Sequence, residues 1–241
     1  MKLVAGTHCG NVRPINEDAC LALPECGLLL VADGMGGHQA GEVASSMAME
    51  TVRASAQKAA GREITVKSAV TWVRRANKAI YQAANEDLSK SGMGTTLTYL
   101  YLMKGHAMIA HVGDSRCYLI HDDEIRQLTR DHSLVAELIA RGEITPEQAK
   151  NHPYRNVITR ALGTDATVAV DAQDVDFDEG DRFLLCSDGL SNYLQPEEML
   201  DAVRSVEPEL ICDYLIGIAL ERGGRDNITV AVAYCDKEVT E

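Results

Sequence analysis

Residues 28–38 read LLLVADGMGGH, and the fold can be interpreted outward from this stretch. The apolar run Leu28–Ala32 is too short for a helix and is stopped by glycines, so it predicts a buried strand. Asp33 follows directly, beside Gly34, and glycine lets the backbone turn sharply and approach a ligand closely. The Asp33 carboxylate and the Gly34 carbonyl thus offer oxygen ligands of the kind that Mg²⁺ and Mn²⁺ prefer.

An ordinary turn is the alternative interpretation of this stretch, because Asp-Gly is a common turn pair. Recurrence of the pattern favours a functional role. Asp114 and Asp188 also follow apolar runs and lie between two small residues, and Asp226 precedes the strand-like run Ile228–Tyr234. Since carboxylates packed together repel one another, a shared cluster of strand-end aspartates predicts bound divalent cations.

The composition bounds the class of protein. The chain has 241 residues, 46% of them hydrophobic, and a net charge of −13, with an isoelectric point near 5.0. We therefore expect one domain spanning residues 1–241, and the acidity argues against nucleic-acid binding. The seven cysteines are odd in number and include no C-x-x-C pair, which favours reduced thiols. No signal peptide or membrane-length apolar run occurs, so we expect a soluble cytoplasmic protein that contacts no membrane.

Helical and strand patterns alternate in blocks along the chain. Apolar residues recur at helical spacing over 44–52 and 66–83, and again over 196–206 and 208–222, where a proline opens each pattern. Strand patterns cover residues 2–6, 19–23, 28–32, 95–103, 106–112, 116–121, 168–177, 181–186 and 228–234. This order predicts an α+β fold, a four-layer α-β-β-α sandwich with two mainly antiparallel sheets flanked by helix pairs. Residues 132–163 form a charged insert with weak apolar periodicity, which predicts a small lid, or flap.

Several familiar catalytic motifs are absent. His8-Cys9 and Arg13 do not fit a cysteine-dependent phosphatase, because Ile15 holds the position that the arginine needs. Ser187 lies in no nucleophile elbow, and no glycine-rich nucleotide motif occurs. The acidic cluster and Arg13 remain. Two metal ions can activate a bridging water, and an arginine fork can hold phosphate oxygens, although Arg13 could equally be a solvated surface residue.

Seven segments occur together in one order along the chain. They are residues 13–18 (RPINED), 31–38 (VADGMGGH), 94–96 (GTT), 111–116 (HVGDSR), 128–133 (LTRDHS), 186–190 (CSDGL) and 225–229 (RDNIT). Together they resemble the bacterial branch of the type 2C, metal-dependent serine/threonine protein phosphatases. The resemblance implies a central β-sandwich with Mn²⁺ or Mg²⁺ at one edge, as two tightly bound ions and a weaker third.

The resemblance also assigns ligands to that tight pair of ions. It implies that Asp33 bridges both ions and that the Gly34 carbonyl binds one of them. Asp188 and Asp226 then complete the first metal site, and Asp18 holds metal-bound waters.

Further roles follow from the same resemblance. Asp114 would serve the third ion together with Asp188, and Arg13 would bind the substrate phosphate. Thr96 and Asn227 match positions near the site, where they would support the ligands.

The proton donor to the leaving group stays open between two interpretations. Eukaryotic members place a histidine directly after the Asp-Gly pair, where this chain has Met35. His38 lies on the same glycine loop and is the candidate general acid, but it could merely form a hydrogen bond there. The candidate catalytic residues are therefore Arg13, Asp18 and His38.

The resemblance implies hydrolysis of phosphoserine and phosphothreonine by direct attack of a water that bridges two Mn²⁺ or Mg²⁺ ions. The expected partners are phosphorylated proteins, with a serine/threonine kinase opposed in bacterial signalling, and the expected state is a monomer. A catalytically dead regulatory module of the same fold is the main alternative. Loss of Asp33, Asp188 or Asp226 would favour it, and all three are present. A phosphatase dedicated to one small regulatory protein is a further alternative.

Overall fold

The stretch Leu28–Ala32 forms a strand that is buried along its whole length and on both faces. Leu28 and Leu30 pack with the helices outside one sheet, whereas Leu29 and Val31 pack between the two sheets. This double burial explains why the run is continuously apolar instead of alternating. The computed structural model describes residues 1–36 and 40–235, and the statements below concern those residues.

Twelve strands are assigned among the described residues. They are β1 (Lys2–His8), β2 (Ala19–Leu23), β3 (Leu28–Ala32), β4 (Gly34–Met35), β5 (Gly94–Thr95), β6 (Leu97–Leu102), β7 (His106–Val112), β8 (Arg116–His121), β9 (Glu124–Gln127), β10 (Asp171–Asp176), β11 (Arg182–Cys186) and β12 (Ile228–Tyr234). One five-stranded sheet has the order β1-β12-β11-β8-β9 and the other β10-β7-β6-β3-β2, while β4 and β5 pair separately. Every strand pairing described is antiparallel.

The helices are α1 (Ala40–Ala59), α2 (Val66–Glu86), α3 (Leu134–Ala140), α4 (Pro146–Lys150), α5 (Asp188–Ser191), α6 (Pro196–Ser205) and α7 (Ile211–Glu221), with 3₁₀ turns at Pro24–Cys26 and Leu88–Lys90. Helices α1 and α2 share a core with the sheet that contains β3, and α6 and α7 share one with the other sheet. A third core lies between the sheets. The predicted four-layer α-β-β-α sandwich is confirmed. Within the described residues, no helix combines the length and apolarity that a membrane crossing requires.

One predicted helix start differs from the structure, and the elements β9 and α5 were not expected from the sequence. Helix α7 begins at Ile211, because Pro208 lies in a turn closed by the Leu210 N–H on the Glu207 carbonyl, and proline is favoured inside such turns. Strand β9 was not predicted, since its exposed side chains give no apolar alternation. Helix α5 was not predicted either, and it makes Asp188 the first residue of a helix as well as the residue after a strand.

The insert 132–163 contains α3, in which no residue is fully buried, and α4, which Thr145 caps. Its end is held firmly. Leu162 is fully buried against α1 and α2, and its backbone exchanges two hydrogen bonds with Thr95, at 2.8 and 3.1 Å. The end of the insert is therefore fixed next to β5, which pairs with β4. Strand β4 directly follows β3, and β5 directly precedes β6.

Candidate metal centre

Five aspartates lie at one edge of the sandwich because of the strand register. The end of β3 pairs with the start of β2, so Asp33 and Asp18 are neighbours. The end of β7, before Asp114, lies two strands further along the same edge. In the other sheet, Cys186 pairs with Val230, which places Asp188 beside the start of β12 and Asp226.

The backbone around Asp33 is fixed by two threonines. The Asp33 N–H donates to Thr96 Oγ1 at 2.9 Å, and the Asp33 carbonyl accepts from the Thr96 N–H at 2.8 Å. That carbonyl also accepts from Thr95 Oγ1 at 2.9 Å. All backbone polar groups of Asp33 are therefore occupied, and its carboxylate is left to point away from the strand.

Gly34 is required by close packing of the backbone. A β-carbon at this position would lie 2.3 Å from the Gly41 carbonyl oxygen and 2.4 Å from that of Glu17. The Gly34 N–H donates to the Glu17 carbonyl at 3.2 Å. Any larger residue would push apart the segments that carry Asp18 and Asp33, so Gly34 holds the cluster together in addition to offering its own carbonyl.

Asp18 is a buried carboxylate with two hydroxyl partners. Its Oδ2 accepts from Thr229 Oγ1 at 2.6 Å and from Ser187 Oγ at 2.8 Å. Its Oδ1 accepts no hydrogen bond from the described residues. Asp18 is thus oriented by one oxygen, and the other oxygen remains available to a ligand.

Asp226 is held by Arg13 through two nitrogens of the guanidinium group. Arg13 Nη2 donates to Oδ2 and Nε lies against Oδ1, each at 2.9 Å. The hydrogen bond to Asp226, with the charge of that carboxylate and of Glu17 and Asp33, raises the pKa of Arg13. Asn227 fixes the loop that carries Arg13 by donating to the carbonyl of Ile15 at 2.9 Å.

Asp114 and Asp188 complete the cluster. Asn192 Nδ2 donates to Asp188 Oδ2 at 3.2 Å across the first turn of α5. Burial and the Asp188 charge raise the pKa of Asp114 to about 7. Burial and the Asp226 charge raise that of Asp188 to about 6.

Burial also raises the pKa of Asp18 to about 7, against the opposing effect of Thr229 and Ser187. The pKa of Asp33 lies well above its ordinary value because of burial and the charges of Asp18, Asp188, Asp114 and Asp226.

The chemistry of this donor set fits a divalent metal ion. Five carboxylates share one edge, and among the described residues only one guanidinium, that of Arg13, makes a direct ion pair with any of them. Without cations the group can relieve its repulsion only by taking up protons. An all-oxygen donor set of high negative charge matches the ligands that Mg²⁺ and Mn²⁺ prefer.

The structure brings together every predicted metal-site residue that it describes. Arg13, Asp18, Asp33, Gly34, Asp114, Asp188 and Asp226 all lie at the same edge. His38 lies outside the described residues. Sequence reasoning missed Ser187 and Thr229, the partners of Asp18. Their position within one or two residues of Asp188 and Asn227 was a signal that small hydroxyl residues could serve the cluster.

Among the described residues, one group of three ligand side chains has its ligand atoms close together in the absence of a metal, and it lies away from the aspartates. His121, Asp178 and Asp181 offer ligand atoms within 4.8 Å of one another, at the ends of β8 and β11 that lie opposite the aspartate cluster. His121 Nδ1 lies 2.6 Å from Asp181 Oδ1, so this buried carboxylate already has a partner. This group is separate from the candidate centre.

Comparisons with known proteins agree with this geometry. A family model described as protein phosphatase 2C matches residues 5–210. The chain is 45% identical over 232 residues to the serine/threonine phosphatase stp of Listeria welshimeri, covering 93% of this chain and 92% of that protein. The crystal structure of the Mycobacterium tuberculosis serine/threonine phosphatase PstP/Ppp superposes with a TM-score of 0.92 at 38% identity, covering 98% of this chain and 99% of that one. A structure of the PstP catalytic domain in complex with two manganese ions gives a TM-score of 0.87 at 37% identity, covering 98% of both chains.

Proposed function

The chain belongs to the protein phosphatase 2C family and is a metal-dependent serine/threonine protein phosphatase, and on that premise we propose which of its residues perform the reaction. The proposal rests on the convergence of five carboxylates, from both sheets, at one edge of the sandwich with a single directly bound guanidinium. The related PstP domain holds two manganese ions. This chain likewise uses two Mn²⁺ or Mg²⁺ ions, and we propose a weaker third.

Asp33 would contact both tightly bound ions, and the Gly34 carbonyl would contact one of them. Asp188 and Asp226 would complete the first site, with Asp114 and Asp188 serving the third ion. Support comes from the hydrogen-bond pattern, because the backbone of Asp33 is fully engaged with Thr95 and Thr96. Bound divalent ions supply an activated water at neutral pH and a charge that stabilises the phosphoryl transition state.

Asp18 would hold waters of that metal site through its unengaged Oδ1. Thr229 and Ser187 fix its other oxygen, so the carboxylate cannot rotate freely. Ser187 is fully buried and donates to Asp18, so its hydroxyl cannot reach a substrate. This arrangement supports direct hydrolysis without a serine-linked intermediate.

Arg13 would bind the phosphate of the substrate with the edge of its guanidinium group that does not contact Asp226. Nε and Nη2 engage Asp226, and Nη1 makes no hydrogen bond with the described residues. The ion pair would orient the guanidinium, and its exposed edge could then bind phosphate oxygens. We retain His38 as the candidate proton donor to the leaving alkoxide, with water as the alternative.

The substrates are phosphorylated proteins. We propose that this phosphatase opposes a serine/threonine kinase, acts as a monomer in the cytoplasm, and uses residues 132–163 as a lid that contacts protein substrates. The lack of any fully buried residue in α3 supports the lid, because such a helix has apolar surface left for a partner. The single-domain assignment for residues 1–241 is supported by the continuous cores on both sides of the paired sheets.

The test compares hydrolysis of a phosphothreonine peptide by metal-stripped protein with Mn²⁺, with Mg²⁺ and with chelator. We expect turnover only with a divalent ion, and a phosphotyrosine peptide of the same sequence should be a poor substrate. Full turnover in excess chelator would overturn the metal mechanism. Asp33→Asn should reduce kcat most, and a variant that keeps about a tenth of wild-type kcat would refute the bridging role. Asp174→Asn, on an exposed edge strand, is the matched control.

A further inference from the structure

The turn between β7 and β8 carries Asp114, and a histidine from the root of the insert holds it. The Gly113 N–H donates to His132 Nδ1 at 3.0 Å, and the Gly113 carbonyl accepts from the His132 N–H at 2.7 Å. Gly113 has φ of +115°, a region that residues other than glycine rarely adopt. His132 therefore forms hydrogen bonds, through both its ring and its backbone, with Gly113, the residue directly before Asp114.

The His132 ring is fixed on its other side by Asp171. Nε2 lies 3.1 Å from Asp171 Oδ2 and 3.0 Å from Nη1 of Arg160, which donates to Asp171 Oδ1 at 2.8 Å. The ring stacks on that of His111 at 4.7 Å between centroids. Since Nδ1 accepts the Gly113 N–H, the single ring proton of the neutral imidazole is on Nε2 and is donated to Asp171. Metal-binding groups in proteins are commonly held by such outer hydrogen bonds.

The residue after Asp114 is held as well. Ser115 Oγ lies 2.8 Å from Thr96 Oγ1, and Thr96 Oγ1 accepts the N–H of Asp33 at 2.9 Å. The turn is therefore held on both sides of Asp114. Ser115 is connected through Thr96 to the Asp33 backbone, and Gly113 is bonded to His132. The second of these connections leads out of the metal centre to β10 through Asp171.

We propose that His132, oriented by Asp171, is a positioning residue that sets the direction of the Asp114 carboxylate and thereby the affinity of the weaker third metal site. This inference rests on the proposed function, since it takes Asp114 as a ligand of that ion. An apolar residue at position 132 would fill the space but leave the Gly113 N–H without its acceptor. Gly113 would then keep only the bond from the backbone N–H of residue 132 to its carbonyl, and its own N–H could turn away, because β7 ends at Val112 and offers Gly113 no ladder partner.

Four variants test the inference. His132→Leu removes the acceptor, and His132→Asn keeps one, because the asparagine Oδ1 occupies a place like that of Nδ1. Asp171→Asn weakens the hydrogen bond that His132 Nε2 makes, and the Asp171 side chain is half-exposed. The matched control is Asp174→Asn. It lies on the same strand and bonds to His106 at 2.8 Å, at the end of β7 far from Asp114.

Calorimetric Mn²⁺ titration and steady-state kinetics are measured together. For His132→Leu we expect affinity at the weak site to fall roughly tenfold, with kcat reduced at limiting Mn²⁺. The tight pair and the KM for a small phosphate ester should remain unchanged. Asp171→Asn should show a smaller shift in the same direction, His132→Asn should recover most of the affinity, and Asp174→Asn should match wild type.

The inference is overturned if Asp171→Asn or folded His132→Leu binds the weak ion like wild type, or if Asp174→Asn shifts equally. A wild-type isotherm without a weak site overturns it too. If His132→Leu does not fold, the comparison of Asp171→Asn with Asp174→Asn decides the matter. Absence of Mn²⁺-dependent turnover in wild type would instead refute the proposed function, so the two failures are distinguishable.

Discussion

Thr229 Oγ1 donates to Asp18 Oδ2 at 2.6 Å, joining residues 211 positions apart in the chain. This bond connects the second residue of β12 in one sheet to the residue directly before β2 in the other. Asp18 is buried, and a buried carboxylate depends on such donors whenever it is ionised.

We therefore expect Thr229→Val to lower the free energy of unfolding by about 1.5–3 kcal/mol at pH 8, the scale for a hydrogen bond to a charged group. The loss should be smaller at pH 5, because the pKa of Asp18 is raised to about 7 by burial and the carboxyl is then protonated. Urea unfolding of metal-free protein measures both values. Thr71→Val, an exposed helical threonine bonded only to the Lys67 carbonyl, is the control. Equal losses at the two pH values would contradict the prediction.

The second prediction concerns stability against pH in the absence of metal. Burial and mutual repulsion raise the pKa of Asp18 and Asp114 to about 7 and of Asp188 to about 6. Between about pH 4 and pH 7 the folded state then binds more protons than the unfolded state, so these groups reduce stability as pH rises. Asp18→Asn removes one of them, and we expect it to gain stability relative to wild type from pH 4.5 to pH 8.

Urea unfolding with chelator, run on both proteins across that range, provides the measurement. Adding Mn²⁺ at pH 8 should restore the stability of wild type, because the ion binds only the folded site. Calorimetry near pH 6.5 should also show proton release on binding. A stability difference between the two proteins that does not change with pH would show that Asp18 keeps its ordinary pKa.

Arg13→Ala should raise KM for phosphate esters roughly 10- to 150-fold, which corresponds to a loss of about 1.5–3 kcal/mol of binding free energy. Arg13→Lys should lie in between, because a lysine cannot bind Asp226 and phosphate with separate nitrogens of one planar group. Steady-state kinetics at saturating Mn²⁺ separates KM from kcat. Arg53→Ala serves as control, since Arg53 pairs only with Glu50 on α1. An unchanged KM would make Arg13 an ordinary surface arginine.

Asp114→Ala should leave two metal ions bound per chain while lowering turnover by about tenfold or more. The reason is its place in the β7–β8 turn, where the charge of Asp188 acts on it. Mn²⁺ calorimetry alongside kinetics counts the ions and reports activity. Full activity would make Asp114 a turn residue only, and loss of the tight pair would make it a primary ligand.

Much of the fold follows from local sequence pattern. The strands His106–Val112, Arg116–His121 and Ile228–Tyr234 lie where their apolar runs predict them. Strand β9 could not be predicted, because three of its four residues, Glu124, Arg126 and Gln127, are exposed and Ile125 alone packs against the core. The start of α7 was misplaced, because proline is equally suited to a helix start and to a turn.

That aspartates stand at strand ends beside small residues is visible in the amino-acid sequence, since strand limits and turn residues are local properties of the chain. Which groups surround each carboxylate depends on how the chain folds in three dimensions. Ser187 and Thr229 meet at Asp18 because β11 and β12 pair with Cys186 opposite Val230, and because the two sheets stack with these edges aligned. Likewise, His132 reaches Gly113 only when the insert returns to the end of β7. Strand register and sheet stacking arise from long-range packing, so a local pattern can mark Ser187 and Thr229 as candidates but cannot assign Asp18 as their partner.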